Sequence, residues 1–95
     1  MPLEFHGHPV LTLRQIDRLN GAPKGSAFRA FKAARERLRP GVDFFRVDAA
    51  EQPEWMERLK AAGLHYASSV HLVLIARDGY AALQLDAPWP EGRHD

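Results

Sequence analysis

The side chains with the greatest chemical reach in this chain are cations, and they are crowded together. Arg14, Arg18, Lys24, Arg29, Lys32, Arg35, Arg37 and Arg39 all fall between Thr12 and Arg39, eight of the thirteen bases of a 95-residue chain. Only Asp17 and Glu36 oppose them there, for a local net of +6. The remaining 67 residues hold five bases and ten acids, so an overall charge of +1 conceals a cationic part and an anionic part. Clustered guanidinium and ammonium groups attract phosphate, and such a split is the electrostatic footprint of a surface that meets nucleic acid.

Other groups invite chemistry with less support. His6 and His8, two apart on an expected strand and close to Glu4, would face one side and could share a metal, but nothing supplies a further fixed ligand. Surface histidines beside a turn are the simpler reading, and neither a metal nor a cofactor is expected. His65, Tyr66, Ser68, Ser69 and His71 gather polar groups ahead of an apolar run, and Asp78 could complete a hydrolase triad. The pattern of a nucleophile elbow is missing, so no catalytic residue is assigned. That stretch is better read as a loop, a wing or an insertion, whose Tyr66, Ser68 and Ser69 could touch a phosphate backbone. Phe28, Phe31, Phe44, Phe45, Trp55 and Tyr80 are taken as core rather than as a stacking platform for single strands. Trp89, between Pro88 and Pro90, reads as an exposed indole in a tail, an anchor on a partner.

Composition sets the frame for these groups. The length suits one small domain, taken as residues 1–85, followed by a tail at 86–95. An apolar fraction of 45% argues for a packed core. The absence of cysteine removes disulfides, thiolate metal sites and cysteine nucleophiles, and fits a reducing cytoplasm. The strongest apolar run, Val70 to Ile75, falls far short of the roughly 20 residues that span a bilayer, so no membrane partner is expected.

Elements then place the cations. Leu3 to Thr12 alternates weakly about Gly7, as in a short hairpin. Thr12 can cap a helix over Leu13 to Leu19, with Gln15 three positions on, and Asn20-Gly21 ends it. A second helix opens at Gly25-Ser26, with Ser26 as its cap, and runs to Leu38 or Arg39 before Pro40-Gly41. On it Ala27, Ala30, Phe31, Ala34 and Leu38 share an apolar arc, while Lys24, Arg29, Lys32, Arg35 and Arg39 share a basic one. Val42 to Val47 has strand character, Glu51 to Ala62 reads as a helix ended by Gly63, and Val70 to Ile75 reads as a buried strand. Asp78-Gly79 makes either a hairpin turn or a helix start before Tyr80 to Leu85; periodicity does not choose between them.

A short helix, a connection containing Asn20, Gly21 and Pro23, and a second basic helix outline a helix-turn-helix. In that geometry Lys24, Ser26, Arg29 and Lys32 lie at or near base edges, while Arg14, Arg18, Arg35 and Arg39 hold phosphates. A solvated face is the ordinary reading of a basic helix. Here it weakens, because Lys32, Arg35 and Arg39 repel one another with a single nearby acid, Glu36, and a polyanion would offset that repulsion.

The order Leu11-Thr12-Leu13, Ile16-Asp17, Gly21, Pro23, Gly25, Arg29 to Phe31, Leu38, Gly41-Val-Asp-Phe-Phe45, Leu72-Val-Leu-Ile75 and Gly79-Tyr80 resembles the N-terminal DNA-binding domain of phage antirepressors, the ORF-six-N group related to KilA-N. The resemblance covers about Val10 to Leu85. It implies an α+β domain, helix-turn-helix or winged-helix-like with a short β-sheet, in a phage or prophage regulator working in the bacterial cytoplasm. Ala30 stands where a further polar or basic residue would be expected, and the effector domain that usually follows is not seen after Leu85. The combined expectation is a non-enzymatic protein that binds double-stranded DNA, as a homodimer if its sites are paired. The rival is a small phage-encoded inhibitor of a host defence protein, using the acidic stripe Glu51, Glu54 and Glu57 or the basic face.

Overall fold

The computed structural model describes residues 3–48, 50–63 and 71–90. Its elements are β1 (Leu3–Phe5), β2 (His8–Thr12), α1 (Leu13–Leu19), α2 (Ser26–Ala34), β3 (Phe44–Asp48), α3 (Pro53–Ala61), β4 (His71–Ala76) and α4 (Arg77–Leu83). A turn of 3-10 helix, Arg35–Arg37, extends α2. The four strands form one antiparallel sheet in the order β1-β2-β4-β3, so the fold is α+β, as expected. His65, Tyr66, Ser68 and Ser69, the expected loop or wing, lie outside the described residues. Among the described residues, no helix is long and apolar enough to cross a membrane.

The sheet is a wall with helices on both sides. Cross-strand register aligns Leu11, Ile75 and Phe44 in one row, and this row packs beneath α1, α2 and α4 through Ile16, Ala27, Phe31, Ala34, Tyr80 and Leu83. The alternate residues Val10, Val47, Leu72, Leu74 and Ala76 face the other way, onto Met56 and Leu59 of α3. Both faces of β4 are therefore covered, which is why its sequence is a continuous apolar run rather than an alternation. Each large side chain buried in these two clusters contributes about 1.5 to 3 kcal/mol relative to exposure.

Two strands run straight into helices. Thr12 ends β2 and caps α1: its Oγ1 accepts from the Gln15 amide at 3.0 Å, and its own amide donates to Gln15 Oε1 at 2.8 Å. The expected capping box is present. Likewise Ala76 ends β4 and α4 begins at Arg77, so Asp78-Gly79 opens a helix, resolving the earlier ambiguity.

Gly79 explains the position of α4. Its backbone lies so close to Asp43 that a Cβ there would sit 2.9 Å from the Asp43 carbonyl carbon and closer still to the oxygen. That same carbonyl accepts from the Ala76 amide at 2.9 Å. Glycine inside a helix ordinarily costs about 0.5 to 1 kcal/mol relative to alanine. Close approach to β3 reverses that preference here.

Several expectations are corrected. His6 lies in the β1–β2 turn rather than on a strand, its ring edge-on to Phe5, while the His8 ring stacks on Phe45, so aromatic neighbours hold the two imidazoles. Phe28 is not core: it is 47% exposed. Trp89 is not an exposed tail anchor. Ala87 is tied down by the Asn20 side chain, whose oxygen accepts from its amide at 2.9 Å, and by the Tyr80 hydroxyl, which donates to its carbonyl at 2.6 Å. The following residues pack back, and Trp89 lies half-buried with its ring 5.7 Å from that of Tyr80. Residues 86–90 thus belong to the packed unit.

Substituting Gly79→Ala is expected to cost about 1 to 3 kcal/mol by overpacking against Asp43. Urea unfolding of the variant checks this, and an unchanged midpoint would contradict the close approach.

Candidate nucleic-acid interface

The α1–α2 unit is built around one carboxylate. Asp17, only 3% exposed, projects from α1 to the start of α2, where its Oδ2 accepts from the Gly25 amide at 3.1 Å and its Oδ1 from the Ala27 amide at 2.7 Å. The main chain adds a tie, since the Ala22 amide donates to the Asp17 carbonyl at 2.9 Å. The first amides of a helix have no partner within it, and a cap residue's side chain normally satisfies them. Here the cap position is Gly25, at φ +94, which has no side chain to offer and adopts a backbone that other residues resist. Asp17 supplies the cap from the neighbouring helix, and its negative charge also suits the positive end of the α2 dipole. Ser26, expected to be the cap, is instead the first helical residue; its Oγ accepts from Arg29 Nη2 at 3.3 Å.

This capping limits how α2 can meet a phosphate. The amides of Gly25 and Ala27 are occupied, so an incoming anion must be met by side chains. Arg29 and Lys32 are exposed on α2, and Arg35 is exposed just beyond it. None of the three makes an ion pair among the described residues. Ala30 is half-buried against the core.

The eight expected contact residues do not form one surface. Lys24, Lys32 and Arg35 line a common cavity beside α2, whereas Arg29 curls back along the helix toward Ser26. The Lys32 ammonium lies 5.4 Å from the centre of the Phe28 ring, and the Arg35 guanidinium 4.6 Å from that of Phe44. Arg14 is half-buried on α1. Arg18 is exposed, with its guanidinium beside Gly63 at the end of α3.

Arg39 is already engaged with a partner. Its Nε and Nη2 donate to the two oxygens of Asp43 at 3.2 and 3.3 Å, and its amide donates to Oδ2 at 2.8 Å. Asp43 is 5% exposed, and the fork closes the turn that leads from α2 into β3. The side-chain hydrogen bond from Arg39, followed by that from its amide, holds the Asp43 carboxyl below its ordinary range. The same pairing keeps Arg39 more firmly protonated. Arg39, expected as a phosphate contact, thus has a structural role.

Sequence reasoning missed Arg46. It alternates with Phe45 and Val47 along β3 and therefore emerges on the α2 side of the sheet, where it joins Lys32 and Arg35 around the cavity. The available signal was the single cation of β3, set between Phe45 and Val47. Among the described residues no cluster of three metal-ligating side chains occurs. The chain matches no protein-family model, no curated protein and no solved structure.

Two outcomes test this arrangement. Asp17→Ala is expected to destabilise the protein by about 2 kcal/mol in urea unfolding, because two amides at a buried helix start lose their acceptor. For Asp43, the unfolded chain takes up the proton first as pH falls, because the folded carboxyl titrates lower. Its stabilisation is therefore whole above the ordinary carboxylate range and drains away as pH drops through about 4 and below. Unfolding followed over that range should show a shallower acid loss for Asp43→Asn than for the native chain.

Proposed function

We propose that this protein binds double-stranded DNA through the α1–α2 unit, as a non-enzymatic regulator. The observation that carries the reading is the set of exposed cations Arg29, Lys32 and Arg35, without ion-pair partners among the described residues, on and just beyond a helix whose start is locked by Asp17. A fixed helix presents its charges at little ordering cost, and phosphate attraction supplies most of the affinity. Arg29, on the first turns of α2, is the side chain best set to reach a base edge in the major groove. Lys32 and Arg35 then meet phosphate, with Arg46 added to them.

A role in a phage or prophage, within the bacterial cytoplasm, is part of the proposal and rests on the antirepressor resemblance alone. Half-sites one helical turn apart would require a homodimer. The rival reading keeps one specific support: Glu54 and Glu57 are exposed on α3 and Glu51 is exposed in the turn before it, an acidic surface that a host protein could engage although the three do not share one helical stripe.

Mobility shifts on short mixed-sequence duplexes across a salt series test the proposal. Binding should weaken steeply with salt, and Lys32→Ala should reduce the slope by about 1. Arg29→Ala should cost about 1 to 3 kcal/mol of binding, while Arg39→Ala should leave the slope unchanged because its guanidinium is held by Asp43. Absence of binding even at low salt would give the function to the rival.

A further inference from the structure

Beyond its packed centre, the α1–α2 face of the sheet opens onto a cavity. Next to the covered row Leu11, Ile75 and Phe44 comes the pair Arg46 and Val73, on the same face. The start of α1, the α1–α2 connection and the flank of α2 stand around it, leaving a solvent-open cavity of about 530 Å³. Its surface has two chemistries. Leu13, Phe28, Phe31 and Val73 make it apolar, and Phe28 is 47% exposed there. Lys32, Arg35 and Arg46 make the rim cationic, and none of the three has an ion-pair partner among the described residues. The one carboxylate in the lining, Asp17, is directed to the Gly25 and Ala27 amides.

We infer that this cavity binds a small amphipathic organic anion, with its apolar body over Leu13, Phe28, Phe31 and Val73 and its carboxylate or phosphate head among Lys32, Arg35 and Arg46. The volume lies within the range of small-ligand sites, which are mostly apolar with a few polar groups that fix orientation. Charge selects the sign of the occupant: a neutral or cationic amphiphile would leave the crowded cations uncompensated. The occupant is a free small molecule because a space of about 530 Å³ matches a ligand of that size, whereas a partner helix would need an apolar groove longer than the single cluster Leu13, Phe28, Phe31 and Val73. The cavity also shares Lys32 and Arg35 with the proposed DNA surface. An anion bound there would weaken duplex binding, and DNA would weaken anion binding by the same factor; this coupling alone rests on the DNA-binding reading.

The test uses anilinonaphthalene sulfonate as a fluorescent probe of the folded full-length chain. Saturable binding at one site is expected, displaced by decanoate and not by decanol or decylamine. Arg46→Glu, at an exposed position, and Val73→Trp, which fills the floor, should each weaken the probe by about tenfold or more with an unchanged circular dichroism spectrum. If Val73→Trp does not fold, Arg46→Glu carries the test. Binding indifferent to Arg46→Glu, or equal displacement by decanol, would overturn the site. So would displacement only by an acidic helical peptide or only by anionic vesicles, which would point to a protein or a membrane. Probe binding measured without DNA tests the cavity, and mobility shifts measured without probe test DNA binding, so either can fail alone. Bound probe with undiminished duplex affinity would overturn the coupling.

Discussion

Two hydrogen bonds to one buried carboxylate set the geometry of the α1–α2 unit. Asp17 must be buried to reach the Gly25 and Ala27 amides, and a buried carboxylate is tolerable only because those donors, at the positive end of a helix, are present. Each group thereby answers the other's desolvation. The arrangement fixes the direction in which α2 leaves the connection, and so where Arg29, Lys32 and Arg35 are presented. It also means that this helix offers a ligand its side chains rather than its amide end.

A second clamp repeats this logic at the opposite end of α2. Asp43 draws in the side chain and amide of Arg39, while its carbonyl receives Ala76 and faces Gly79 across too little space for a side chain. The turn into β3, the end of β4 and the start of α4 are thus fastened at one residue. Tyr80, next in the chain, reaches across to Asn20 and Ala87 and ties the residues around Trp89 to the α1–α2 connection. Of the residues that carry the antirepressor resemblance, Asp17, Gly25, Phe31, Asp43, Phe44, Gly79 and Tyr80 have structural work in this fold, whereas Arg29 is exposed on α2. Such a pattern marks a scaffold, and function must be argued from the cations displayed on it.

The charges divide accordingly. Arg39 is held by an internal carboxylate and Arg35 lies over the ring of Phe44, sheltering an edge of the core while leaving other guanidinium hydrogens for a ligand. Arg29 donates to the Ser26 hydroxyl and Lys32 lies over the exposed ring of Phe28, so both remain at the helix surface rather than over the core. The proposed DNA surface and the proposed anion cavity meet along α2, and two cations common to both make one anion a competitor of the other.

Local signals in the chain determined a good deal. Thr12 and Gln15 specified where α1 begins, because a capping box is satisfied within four residues. The unbroken apolar stretch before Arg77 specified a strand covered on both faces. The helical spacing of Ala27, Phe31, Ala34 and Leu38 identified the inward side of α2, and the concentration of bases between Thr12 and Arg39 named the cationic region. Tertiary structure decided what spacing along the chain does not encode: which carboxylate each amide or guanidinium meets. Asp17 is eight residues from Gly25, Asn20 is 67 from Ala87, and Arg46 approaches Lys32 only because the sheet's register turns it toward α2. Hydrogen bonds and ion pairs act over a few ångströms of space, so their partners, and with them the split between structural and displayed cations, exist only once the chain has folded.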